Sequence, residues 1–233
     1  MAKVAMISGG GRGLGAAIVD ALLKDGWSVS LGLRDVGQAD RFNVTDDRLL
    51  ATSFDANDPA LASAWVDATL SKYERIDALV NNAGILRMVD FEKGDESDLD
   101  DLWAVNVKAP FRLIRAALPH LRASGEGRVV NIASTDGKRF RAGTSIGYSM
   151  TKHALLVMTQ AVRQAGWDDG VRATAICPGA IDTDLIANIP GVTPKAERLT
   201  PETVASMVAF VVSLPNQASV PEMIANTRLE TLI

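Results

Sequence analysis

The chain has 233 residues, 47% of them hydrophobic and 22% charged, which is enough apolar mass for one globular domain and unlike a disordered or collagenous segment. Its formal net charge of -4 offers no global footing on a phosphate backbone or an anionic membrane, so neither nucleic acid nor membrane is expected as a partner. The single cysteine, Cys177, excludes an internal disulfide framework, and with only His120 and His153 no metal centre is expected. A reducing, cytoplasmic setting is the corresponding expectation. The apolar run Val4 to Ile7 is too short for a signal-peptide core, and no stretch reaches the roughly 18 residues of a membrane span.

Strand-like apolar runs alternate with helical patterns along the chain, which predicts a parallel sheet with helices on both faces. The first strand, Val4 to Ile7, runs into Ser8-Gly9-Gly10-Gly11-Arg12-Gly13-Leu14-Gly15 and a helix over Gly13 to Lys24. Glycines there permit close backbone approach, and the helix N-terminus presents free N–H groups to a pyrophosphate. Two registers compete: Gly11, Gly13 and Ala16 fit G-x-G-x-x-[GA], while Gly9, Gly13 and Gly15 fit G-x-x-x-G-x-G. A mere tight turn is the alternative reading.

Strand Ser28 to Leu33 exits at Arg34 and Asp35, and strand Leu49 to Phe54 exits at Asp55 before a helix over Pro59 to Tyr73. Strand Ala78 to Val80 leads to Asn82-Ala83-Gly84, with one helix expected over Leu99 to Leu121. Strand Arg128 to Ile132 is followed by Ser134, then a helix over Tyr148 to Ala165. Strand Val171 to Ile176 exits at Pro178-Gly179, and a helix over Pro201 to Val212 and a strand over Met223 to Ala225 close the pattern. No linker or fixed-period repeat divides it. The expectation is a single doubly wound, Rossmann-type α/β domain over 1–233 with about seven parallel strands, and ligands beyond the strands' carboxyl ends.

Tyr148 and Lys152, four apart on a helix, share one face about a turn apart. A cation beside a phenol favours the phenolate and lowers its pKa, which makes an acid/base catalyst; a solvated helix pair is the bland alternative. Ser134 opens on the same edge of the sheet as the glycine loop, where its hydroxyl can hold a carbonyl oxygen.

Together these residues resemble the classical short-chain dehydrogenase/reductase family, from Lys3 to about Val212. The glycine register is similar to the family's at Gly9, Gly13 and Gly15, Asp55 to its adenine-pocket acid, and Asn81-Asn82-Ala83-Gly84 to its NNAG. Asn106 falls at the asparagine that holds a relay water, Ser134 at the catalytic serine, Tyr148 and Lys152 at the catalytic pair, and Pro178-Gly179 with Thr183 at the carboxamide-contacting segment. The resemblance implies catalysis by Asn106, Ser134, Tyr148 and Lys152. It implies cofactor contacts from Gly9, Arg12, Gly13, Leu14, Gly15, Arg34, Asp55, Asn81, Ala83, Gly84, Tyr148, Lys152, Pro178, Gly179, Ile181 and Thr183. The implied activity is hydride transfer between a nicotinamide cofactor and a small or medium carbonyl or alcohol, with Tyr148 moving the proton.

NADP(H) is expected over NAD(H), because Leu33 stands where relatives that prefer NAD carry aspartate, and Arg34 with Arg12 can clamp a 2′-phosphate. Asp35, about 20 residues past the glycine loop, is the counter-indication. A substrate lid is expected over 180–200, with Pro190, Gly191 and Pro194 among apolar Ile181, Leu185, Ile186 and Ile189. Lys138, Arg139 and Arg141 stand near the mouth; they read as a site for a substrate anion or, more commonly, as a solvated basic loop. The resemblance implies a homodimer or homotetramer, through the helices of Asn106 and Tyr148, although the tail lacks the family's Val-Asp-Gly-Gly pattern. A noncatalytic dinucleotide sensor and an epimerase or dehydratase remain alternatives on this fold.

Overall fold

Seven short runs form the strands of one sheet, and most of their residues are buried because helices cover both faces. The computed structural model describes residues 2–187, 189 and 192–229. The strands are β1 (Val4–Ser8), β2 (Ser28–Leu33), β3 (Leu49–Ser53), β4 (Ala78–Asn81), β5 (Arg128–Ile132), β6 (Arg172–Pro178) and β7 (Glu222–Ala225). They lie in the order β3-β2-β1-β4-β5-β6-β7, and every neighbouring pair is parallel. The helices are α1 (Gly13–Lys24), α2 (Leu61–Tyr73), α3 (Glu96–Trp103), α4 (Ala109–Ala123), α5 (Ile146–Gly166) and α6 (Pro201–Ser213). Among the described residues none is long and apolar enough to cross a membrane.

Alternation along β1 sends Ala5 and Ile7 to one core and Met6 to the other. The first core packs Ile18 and Leu22 of α1 with Val208 and Val212 of α6; the second packs Trp65 of α2, Leu113 and Leu121 of α4 and Val162 of α5. Two rigid layers thus hold the strand exits in register.

The helix expected over Leu99 to Leu121 is broken. It starts earlier, with Glu96 and Asp98 in a first turn that favours acids, and a π turn over Ala104–Lys108 separates α3 from α4. Pro110 is the physical reason: it has no N–H for the carbonyl of Asn106 four residues back, and its ring crowds that carbonyl. Helix α5 begins two residues earlier than expected because Ser145 caps it, its Oγ accepting from the Tyr148 amide at 3.1 Å. The same Oγ accepts from the Val89 amide at 3.2 Å, which ties the start of α5 to the segment after β4.

Candidate active site

Strand order reverses at β1, where β2 lies on one side and β4 on the other, so the loops leaving β1 and β4 part and open a crevice. The glycine loop is shaped for it. Gly9 and Gly13 have φ of 69° and 52°, and a Cβ on Gly15 would lie 2.2 Å from the Gly9 carbonyl oxygen. These constraints select the register Gly9, Gly13, Gly15. Ser8 Oγ accepts from the amides of Asn82 and Ala83, both at 3.1 Å, and Asn82 Nδ2 donates to the carbonyls of Ser8 and Gly9 at 3.0 and 3.1 Å. The NNAG segment therefore clamps the glycine loop.

Leu33, the last residue of β2, and Arg34 line the crevice, whereas Asp35 turns back and its Oδ1 accepts from the Gly37 amide at 3.0 Å. Gln38, on the turn that Asp35 caps, packs so close to Gly11 that a Cβ there would meet its Oε1 at 1.9 Å. Arg12 Nη1 donates to Asp184 Oδ2 at 3.0 Å across the mouth, an exposed pair.

On the other side Ser134 Oγ accepts from the Asp136 amide at 3.1 Å and caps a short turn. That turn presses on α5, since a Cβ on Gly137 would lie 2.9 Å from the Lys152 carbonyl. Lys152 Nζ donates to the Ile132 carbonyl at 2.8 Å and sits 5.5 Å from the Tyr148 ring centroid. Burial lowers the Lys152 ammonium from 10.5 to about 8, with Cys177 acting weakly against the shift. The phenol of Tyr148 is raised from its ordinary value, chiefly by burial and then by the charge of Asp136, while a hydrogen bond with Ser134 pulls it back. Burial of the phenolate and the charge of Asp136 thus act in the direction opposite to the lowering expected from Lys152. Asn106, 1% exposed, is held by the backbone of Ile85: its Oδ1 accepts from the Ile85 amide at 2.9 Å and its Nδ2 donates to the Ile85 carbonyl at 3.0 Å.

One cavity of about 630 Å³ brings together Gly9, Arg12, Gly13, Leu14, Gly15, Arg34, Asp55, Ala83, Gly84, Ser134, Tyr148, Lys152, Pro178, Gly179, Ile181 and Thr183. Two expected site residues lie outside its lining. Asn81 is a correction to the expected cofactor contacts: β4 extends one residue further than expected, and Asn81 Nδ2 donates to Asn131 Oδ1 at 2.8 Å inside the sheet. Asn106 stands behind the wall, next to Gly84. The basic loop divides as well. Lys138 pairs with Glu222 at 2.5 Å, Arg139 is buried against Asp136 at 2.6 Å, and of the three only Arg141 lines the cavity. Asn82, Gln38 and Arg228 line it too, and none was singled out from sequence as a site residue. Leu185, Ile186 and Ile189 of the expected lid supply apolar wall; Pro190 and Gly191 lie outside the described residues.

The cradle fits a dinucleotide: Gly9 and Gly13 hold the backbone in a conformation that suits close approach, and the α1 N-terminus and Arg34 line the same cavity. Fold and cradle define a Rossmann-type dinucleotide-binding domain. The family model for short chain dehydrogenase matches residues 3–191, and the chain belongs to that family of oxidoreductases. It is 40% identical over 220 residues to an agropine synthesis reductase of Rhizobium rhizogenes, covering 94% of this chain and 51% of that protein. The chain thus spans about half the length of that relative. An alcohol dehydrogenase of the archaeon Thermococcus sibiricus, solved with 5-hydroxy-NADP, is similar with a TM-score of 0.88 and 27% identity, covering 99% of this chain and all of that one. A 3-ketoacyl-(acyl-carrier-protein) reductase of Brucella melitensis, solved with NADH, has a TM-score of 0.86 at 29% identity, covering 96% and 95% of the two chains.

Proposed function

We propose that the chain is an NADP(H)-preferring oxidoreductase that reduces the carbonyl group of a small or medium, partly apolar substrate, with Tyr148 as proton donor. The observation that carries this reading is the meeting of Ser134, Tyr148 and Lys152 with the glycine loop in one cavity. The dinucleotide, when bound, supplies the hydride. The α1 N-terminus and the loop amides hold its pyrophosphate. Arg34, with Arg12 turning from its exposed pair with Asp184, would take a 2′-phosphate through charge-assisted hydrogen bonds, while Asp35, engaged with its own turn, would leave the ribose diol without an acidic partner. Asp55 serves the adenine end, and Pro178, Gly179, Ile181 and Thr183 the nicotinamide end.

Ser134 holds the substrate oxygen, and Tyr148 gives it a proton. A phenol kept protonated by burial and by Asp136 suits that direction of transfer. As the proton leaves, the ammonium of Lys152 stabilises the phenolate. Gly84 keeps the space between Asn106 and Lys152 open: a Cβ there would lie 3.3 Å from Asn106 Oδ1 and 3.6 Å from Lys152 Nζ. The Asn106 carbonyl, which Pro110 cannot serve, is the acceptor we assign to a relay water.

Segment 180–200 acts as the substrate lid, and the single buried Cys177 suits a reducing cytoplasm. Exposed Phe111 on α4, with Met150 and Val157 on one stripe of α5, supports a homodimer through these helices, to be checked by light scattering. A panel of aldehydes and ketones, followed by loss of reduced-nicotinamide absorbance with NADPH and NADH, tests the activity. Turnover with the higher kcat/KM for NADPH is expected; cofactor binding with no carbonyl reduced would indicate a dinucleotide sensor instead.

A further inference from the structure

Resting on the carbonyl reduction proposed above, we infer that the substrate carries an anionic group, a carboxylate or a phosphate, and that Arg141 and Arg228 hold it. Both line the cavity that also holds Ser134, Tyr148 and Lys152, and they reach it from different parts of the chain. Arg141 lies seven residues before Tyr148, and its carbonyl accepts from the Thr144 amide at 3.2 Å and from Thr144 Oγ1 at 2.6 Å. That turn fixes its backbone just before the cap of α5. Arg228 follows β7, where the Gly179 amide donates to the Ala225 carbonyl at 2.8 Å and a Cβ on Gly179 would lie 3.0 Å from Thr227 Oγ1. The tail is thus pressed onto the strand exit that carries Pro178 and Gly179.

The charge balance points the same way. Among the described residues, the cavity lining carries five cations, Arg12, Arg34, Arg141, Lys152 and Arg228, against three carboxylates, Asp55, Asp136 and Asp184, and Asp136 is already met by Arg139 at 2.6 Å. An oxyanion entering here therefore meets an excess of positive charge, with Arg141 half-buried and Arg228 exposed at the cavity surface. Arg141 and Arg228 each make an interaction within the chain as well. A guanidinium has five N–H donors, so it can keep an internal contact and still present a fork to a carboxylate or phosphate.

The loop cations divide by role. Arg139 is 8% exposed and shapes the turn after Ser134 through Asp136 and the Thr135 carbonyl, so its removal reports on folding and not on substrate choice. Arg141 with Arg228 is the pair to test.

The experiment uses two matched pairs, levulinate with methyl levulinate and dihydroxyacetone phosphate with dihydroxyacetone. Each is assayed with NADPH and titrated calorimetrically into the NADP-loaded protein, for wild type and for the Arg141→Gln/Arg228→Gln variant. For at least one pair the wild type is expected to favour the anionic member by about tenfold or more, in kcat/KM or in Kd, and the variant to lose that advantage. Which pair responds tells carboxylate from phosphate. The single variants, each expected to lose part of the advantage, carry the test if the double variant does not fold. Equal handling of anionic and neutral members by the wild type, no binding of either anion, or an advantage that survives in the variants overturns the inference. Failure of the wild type to bind NADPH at all is a different result, and it overturns the oxidoreductase reading on which the inference rests.

Discussion

Replacing Lys152 by methionine tests through stability alone whether the site keeps a cation in a desolvated place. Lys152 is 4% exposed, and burial brings its ammonium from 10.5 to about 8. Below the folded value the lysine is protonated in both folded and unfolded chains, and the cost of burying the charge is present in full. Between about 8 and 10.5 the unfolded chain binds more protons than the folded one, so this group makes stability rise with pH. At about 1.36 kcal/mol per pKa unit the whole rise is about 3 kcal/mol, most of it reached by about pH 10. At neutral pH the methionine escapes that cost but forfeits the 2.8 Å bond to the Ile132 carbonyl, worth about 1.5–3 kcal/mol for a charged donor, so the two proteins should be of similar stability there. Urea unfolding of both proteins at neutral pH and at about pH 10 reads the difference, and subtracting one from the other cancels the remaining titrating groups. Wild type is expected to gain about 2–3 kcal/mol on the variant over this interval. A difference that stays constant within about 0.5 kcal/mol would refute the desolvated cation.

Reductive kcat/KM, which reports the free protein, should be flat below about pH 8 and fall above it as Lys152 loses its proton, while the raised phenol stays protonated throughout; a profile rising through that range contradicts the assignment. Arg34→Ala should weaken NADPH binding by about tenfold or more and leave NADH within about twofold, read by cofactor fluorescence titration. Gly15→Ala places a Cβ 2.2 Å from the Gly9 carbonyl oxygen and 2.6 Å from Asn82 Nδ2. It should cost about 1–3 kcal/mol in denaturant unfolding and weaken NADPH binding as the loop shifts; wild-type values for both would show that the glycine is not needed for close approach.

Most of the strands and the glycine cradle were legible in the sequence because β-period apolar runs and glycine spacing are local signals. Their exits put Ser134, Asp55 and Pro178 on the lining of the cavity. Arg228 was not legible, since it reaches the site only through the pairing of β6 with β7, a long-range contact with no sequence signature. Gln38 was hidden in a turn whose cap, Asp35, looks from sequence like a ribose ligand. The offset between Asn81 and Asn82 came from the last residue of β4: one more paired residue moves the exit by one and turns Asn81 into the sheet. Arg139 and Arg141 look alike in sequence, and only packing shows that one is buried in an ion pair. The upward push on the Tyr148 phenol is hidden for a similar reason, because spacing reveals a neighbouring cation but not burial.

If Tyr148 donates the proton in a carbonyl reduction, Tyr148→Phe separates turnover from NADPH affinity when both are measured on the same preparation. The kcat is expected to fall on the order of a hundredfold or more while the Kd for NADPH stays within about threefold of wild type, since the hydroxyl serves the substrate oxygen and not the dinucleotide. Retention of most of the activity in the phenylalanine variant, with any substrate that the wild type reduces, would contradict it.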